Sequence, residues 1–215
     1  MFFRPPPTTL SLIIANVAIF IIQQATGPFL VVHFALWPWG PHIALAAGTG
    51  TVFVGFEIWQ LVTYAFLHGS IAHIFFNMFA LYMFGSVIER TLGERRYLLY
   101  YFVCVVAAAL THLLVVRFLT GGFYPTIGAS GGIFGILLAF GMMYPRERVY
   151  FWFALPMPAW VFVTGYGVLE LVLGVTGTAE GIAHFAHLGG MIGGLPLMLY
   201  WMGKLPLKPR RRFPH

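Results

Sequence analysis

The sequence predicts an all-helical, polytopic membrane protein, a bundle of six transmembrane helices with little outside it. Three observations carry this expectation. Of the 215 residues, 60% are hydrophobic, 18% aromatic and only 8% charged, and the mean hydropathy is +0.85, a balance typical of chains solvated by lipid rather than water. Apolar runs fill nearly the whole length. The basic residues gather at the ends of those runs, in alternate connections, as topology determinants do.

A span needs about 20 apolar residues, because the hydrocarbon layer is about 30 Å thick and a helix rises about 1.5 Å per residue. Six segments meet or nearly meet that length, at about residues 9–26, 60–88, 94–118, 128–144, 149–174 and 183–203. The first follows Arg4 as a signal peptide would. However, the polar Gln23-Gln24 pair and Pro28 come after it without a small-x-small cleavage site, so it counts as a span. This organisation gives one transmembrane domain, residues 9–203, between short tails at 1–8 and 204–215, and leaves no room for a separate soluble domain.

With six spans, both tails and the second and fourth connections share one side. That side receives Arg4, then Arg90, Arg95 and Arg96, then Arg146 and Arg148, then Lys204, Lys208 and Arg210 to Arg212. These are eleven of the twelve basic residues, and only Arg117 lies opposite. The excess places both termini in the cytoplasm of a cell (inner) membrane protein. The net charge of +6 is thereby explained by topology, and nucleic acid is set aside as a partner. The other side carries one long connection, about residues 27–59, whose Trp37, Trp39 and Trp59 suit the interfacial belt of the bilayer.

Spans two, four and six all enter from that outer side, so residues early in each share a depth. Span two offers "HGSIAHIFFN" with His68, His73 and Asn77; span four begins at Ser130; span six begins "AHFAHLGG" with His184 and His187. Taken singly, such residues are commonly hydrogen-bonding glue between helices. Their combination points to chemistry, because polar groups at this depth are costly unless used. His73 and Asn77, four residues apart, share a helix face. Ser130 and His187 supply a nucleophile and a base. The stripes Gly131-x-x-x-Gly135 and Gly190-x-x-x-Gly194 let helix backbones approach closely, as proton transfer over about 2.6–3.2 Å requires. Gly128 permits a sharp turn into the helix. Ser130 then sits near a helix N-terminus, where unpaired N–H groups favour a developing oxyanion and His73 and Asn77 add side-chain donors.

The acidic residues restrict the mechanism: all six are glutamates, so a Ser-His-Asp triad is impossible. Glu57 precedes span two; Glu89, Glu94 and Glu147 belong to the cytoplasmic side; Glu170 and Glu180 lie near the outer ends of spans five and six. A Ser130–His187 dyad is the simpler arrangement; for Glu170 the sequence allows a polar contact facing the cavity or a helix-end residue reaching the interface, and the latter is favoured. His184 is expected to be a packing or interface residue, and His68 structural support for His73. The lone Cys104 excludes an intramolecular disulfide and a cysteine metal cluster. With no HExxH and no evident ligand spacing among the histidines, neither metal nor cofactor is expected.

These residues resemble the rhomboid intramembrane serine proteases. The resemblance lies in "GASG" around Ser130, "HGSIAHIFFN" on span two, "AHLGG" followed by Gly194 on span six, and Gly85-x-x-x-Glu89-x-x-x-Gly93 at the inner end of span two. Their order and placement extend it over the six-span core. The resemblance implies a serine endopeptidase with Ser130 and His187 as catalytic dyad and His73 and Asn77 helping the Ser130 N–H to stabilise the oxyanion. It also implies that the substrates are transmembrane segments of other proteins, cut near the outer leaflet through a covalent acyl-enzyme. Two departures are visible: Trp59-Gln60 stands where many members have Trp-Arg, and Phe134 where some have a tyrosine beside the histidine. The alternatives are a channel or transporter using the same polar residues as a path, a haem protein with histidine ligands, and an inactive binding relative. Oligomeric state is not encoded in any of these features.

Overall fold

The computed structural model describes residues 4–47, 50–151, 154–177 and 184–206. The chain begins with helix α1 (Pro7–Thr26), followed by the short α2 (Phe29–Phe34) and an antiparallel hairpin of β1 (Ile43–Ala47) and β2 (Gly50–Val54). A single turn, α3 (Gln60–Thr63), precedes the long helices α4 (Ile71–Leu92) and α5 (Glu94–Thr120). Then come α6 (Ser130–Met143), a second hairpin of β3 (Arg148–Phe151) and β4 (Leu155–Pro158), α7 (Ala159–Thr176) and α8 (His184–Trp201).

Among the described residues, four helices, α1, α4, α5 and α7, are long and apolar enough to cross a bilayer, and α6 is a shorter apolar helix of 14 residues. The protein is an integral, multi-pass membrane protein. Large side chains such as Ile14, Ile21, Phe75, Phe76, Leu99, Val172 and Ile192 are exposed on its surface, an arrangement stable only where the surroundings are apolar. α8 has 18 residues but includes His184, His187 and four glycines, so its sequence serves close contact rather than lipid.

α5 lies at the centre and packs against both α6 and α8, which also pack on each other. The closeness is set by glycine. A Cβ built at Gly190 would overlap the backbone carbonyl of Gly131 on α6, so only hydrogen fits there. Hydrogen bonds lock the contacts: Tyr100 on α5 donates to the Gly135 carbonyl at 2.7 Å, and Tyr64 donates to the Val105 carbonyl at 2.8 Å. At the other end of α4, Glu89 is 2% exposed and accepts from the Thr8 N–H, the Thr9 N–H and the Thr9 hydroxyl at 2.9, 2.6 and 2.7 Å. It caps α1, whose own N-cap, Pro6, has no side chain to do so.

Two expected spans begin later than their hydropathy indicates. The chain leaves the helical region at Leu67 and re-enters after Ser70, whose hydroxyl accepts the His73 N–H at 3.1 Å as an N-cap. The second long helix therefore starts at Ile71, not near residue 60. The fifth starts at Ala159, not near 149, because Pro156 and Pro158 lie in the extended β4 and cannot continue a helix backward through their ring nitrogens. Two bonds fasten the start of the connection from 27 to 59: Trp59 Nε1 donates to the His33 carbonyl at 3.0 Å, and Thr63 Oγ1 of α3 to the Phe34 carbonyl at 2.8 Å. Glu180, the start of the sixth expected span and most of the basic C-terminal tail lie outside the described residues.

Candidate active site

Ser130 is the first residue of α6. The loop that delivers it is pinned on both sides: Leu36 and Thr126 exchange backbone hydrogen bonds at 2.9 and 3.0 Å, and the Gly128 N–H donates to the Tyr64 carbonyl at 2.9 Å. Gly128 has φ +127°, a conformation closed to ordinary side chains, and a Cβ there would lie 2.7 Å from His73 Nε2. The glycine thus supplies both the turn and the room for an imidazole. Helical bonding in α6 starts only with the Ile133 N–H to the Ala129 carbonyl, at 3.1 Å. The N–H groups of Ser130, Gly131 and Gly132 precede it and point out of the helix end.

His187 sits in the first turn of α8. Its Nε2 is 2.8 Å from Ser130 Oγ, so a serine and a histidine from two different helices share a hydrogen bond. The imidazole lies flat on Phe134, with ring centroids 4.3 Å apart and planes 3° from parallel, and Phe134 in turn touches Tyr166 with centroids 5.3 Å apart. The phenyl ring of Phe134 thus packs against the imidazole without a hydroxyl.

Behind the histidine lies Glu170 of α7. Of the two placements the sequence allows, the favoured one at the interface does not hold: the side chain is buried, at 6% exposure. Its Oε2 is 2.6 Å from His184 Nδ1 and 3.0 Å from His187 Nδ1. The approach to His187 is out of line with the ring N–H, making it a close electrostatic contact rather than a linear hydrogen bond. His184, expected as a packing or interface residue, is the carboxylate's direct partner. The two imidazoles are what make burial of this charge tolerable.

His73 and Asn77 follow the Ser70 cap on α4. His73 Nε2 and Ser130 Oγ both lie within 4 Å of the point where a Gly128 Cβ would sit, so the two side chains flank one small space. Asn77 is buried, and its Nδ2 has no hydrogen-bond partner among the described residues, an unspent donor on the same helix face. His68 is fully buried beside His73 with ring centroids 5.0 Å apart, and its backbone is gripped by Gln23, which donates to the His68 carbonyl at 2.9 Å and accepts its N–H at 3.1 Å. His112, without an evident partner in the sequence, meets Thr126 Oγ1 at 2.7 Å and steadies the loop before Ser130. Gln60, at the position where many rhomboid proteases have arginine, accepts the Trp37 N–H and donates to the Gly55 carbonyl, both at 3.1 Å. No signal short of the fold marks the His112, Thr126 and Gln60 contacts, since each joins residues distant in the chain or makes use of a backbone group.

Residues 55–204 match the Rhomboid domain family. The chain is 29% identical over 198 residues to rhomboid protease GlpG of Yersinia pestis (strain Pestoides F), an alignment covering 91% of this chain and 62% of that protein. It is 30% identical over 155 residues to rhomboid protease GluP of Bacillus subtilis (strain 168), covering 71% of this chain and 28% of that protein. The chain therefore spans less than two thirds of the length of these relatives. With 150 of its 215 residues inside the matched domain, including every element that carries Ser130, His187, His73 and Asn77, the chain belongs to the rhomboid family.

Proposed function

We propose that the protein is an intramembrane serine endopeptidase that cuts transmembrane segments of other proteins near the outer leaflet. The observation that carries this is the 2.8 Å contact between Ser130 Oγ and His187 Nε2, made across two helices whose backbones are held together by glycine. The two relatives, both rhomboid proteases, support it.

In this reading Ser130 attacks the scissile carbonyl while His187 takes the hydroxyl proton on Nε2. The imidazolium then returns that proton to the leaving amine, and water hydrolyses the acyl-enzyme with His187 again as base. The Ser130 N–H, His73 and the free Asn77 amide face the developing oxyanion. A carbonyl locked in helical hydrogen bonds is a poor target, so substrate segments containing helix-weakening residues are favoured.

The length of α6 supports a site below the lipid surface. Its 14 residues rise about 21 Å, well short of the about 30 Å of hydrocarbon, so the loop before Ser130 dips below the lipid surface and the serine lies beneath it. Six spans, one transmembrane domain over residues 9–203 and short tails at 1–8 and 204–215, both cytoplasmic, agree with the side on which the basic residues fall.

The test is fluorophosphonate labelling of detergent-purified protein together with cleavage of a model transmembrane substrate. Wild type is expected to do both, and Ser130→Ala and His187→Ala neither. Labelling and cleavage that persist in both variants would overturn the proposal, and conductance or uptake unaffected by Ser130→Ala would point to a channel or transporter.

A further inference from the structure

We infer that Glu170 is a positioning residue for His187, so that the reacting pair is extended into a Ser130–His187–Glu170 relay drawn from α6, α8 and α7, with His184 clamping the carboxylate. The inference rests on the protease reading and adds a third group to it.

A neutral imidazole carries one proton, on either of its two nitrogens. Only the form protonated at Nδ1 has a lone pair on Nε2 to receive the Ser130 proton. The other form would turn a lone pair toward the Glu170 carboxylate, at 3.0 Å, and a proton toward the serine. A buried negative oxygen beside Nδ1 therefore selects the proton-accepting form.

The same oxygen balances charge during the reaction. When the Ser130 O–H bond breaks, its proton goes to His187 Nε2 and its electron pair to the new bond with the substrate carbonyl carbon. Nδ1 keeps its own proton throughout, and Glu170 stays ionised. The imidazolium formed thus faces a carboxylate already in place, and the added proton leaves with the substrate amine.

His184 explains how the carboxylate stays there. Its Nδ1 lies 2.6 Å from Glu170 Oε2 and its Nε2 is buried with no partner among the described residues, which assigns its proton to Nδ1. This is the shorter of the two contacts, and it holds Oε2 within reach of His187 although the latter contact is out of line. His184 and His187 are three residues apart on α8, so both rings face α7 from one side of their helix.

The distances also distinguish a proton-sharing cluster from a metal centre. Glu170, His184 and His187 place their ligand atoms within 4.8 Å of one another. A tetrahedral zinc with bonds of about 2.0–2.1 Å spaces its ligand atoms about 3.3 Å apart, and the 2.6 Å contact is shorter than that.

The experiment compares wild type with Glu170→Gln, which keeps the shape and removes the charge, by fluorophosphonate labelling rate and by kcat and KM on a model transmembrane substrate. Ser130→Ala runs alongside and tests the protease reading independently. The expected result is a fall of at least about 100-fold in kcat and labelling rate with KM within about threefold of wild type. Wild-type rates in Glu170→Gln, or a loss carried by KM rather than by kcat, would overturn the inference. Should Glu170→Gln not purify, Glu170→Asp takes its place, keeping the charge but withdrawing it by one methylene. A loss of about tenfold in kcat at constant KM then supports the relay, and unchanged kcat overturns it.

Discussion

The phenyl ring of Phe134 and the imidazole of His187 lie face to face, 4.3 Å between centroids and 3° from parallel. The two residues come from α6 and α8, so the stack joins the helix that carries Ser130 to the helix that carries its hydrogen-bond partner. It leaves the imidazole free to slide within its own plane but not to tip out of it.

Aromatic pairs contribute about 0.5–1.5 kcal/mol beyond the area they bury, so loss of this one should be felt as misorientation rather than collapse. Phe134→Ala is expected to lower kcat about two- to tenfold with little change in KM, and Phe134→Tyr to remain near wild type. Steady-state cleavage of a model substrate by the purified variants checks this.

Gly190 meets backbone rather than a yielding side chain, because the carbonyl of Gly131 fills the space where a Cβ would go. Gly190→Ala must push α8 away from α6 and with it His187 away from Ser130. A stability loss of about 1–3 kcal/mol or more is expected, visible as a lowered thermal midpoint in detergent, together with loss of fluorophosphonate labelling. Gly165→Ala on α7, where a Cβ would meet nothing within 4 Å, is the control and should be neutral or up to about 1 kcal/mol stabilising.

Gln60, only 1% exposed, spends both ends of its amide on the long connection, satisfying the Trp37 N–H and the Gly55 carbonyl. Gln60→Leu leaves both backbone groups buried and unpaired, at a cost of about 1–3 kcal/mol each. The expected signature is local: faster hydrogen exchange and easier proteolysis around residues 34–57, while α5, α6 and α8 keep their protection.

Much of this arrangement is legible in the residues. Apolar run length indicates most of the helices, and the small-residue stripes on α6 and α8 announce the contact that brings Ser130 to His187. What the sequence hides is rotation about a helix axis. Glu170 sits at a depth the spans can supply, but α7 is apolar on every side, so nothing in its pattern says whether that carboxylate faces lipid or the two histidines of α8. Hydropathy also cannot tell a span from an apolar hairpin, which is why the stretch from residue 149 reads as helix although β3 and β4 pair there and Pro156 and Pro158 lie in the second strand. The break at residues 67–70 had a sign in Gly69-Ser70, the small residue and cap that start a new helix, though the surrounding apolar residues mask it.

Glu89 binds the opening turn of α1 from a position 80 residues further along the chain. As the polypeptide emerges from the ribosome, the first helix is therefore complete long before its terminal N–H groups have an acceptor. It must lie unattached among lipids until the far end of α4 is made, and only then can its register against the bundle be set. One glutamate thus ties the seating of α1 to the synthesis of a helix end that follows it by 80 residues.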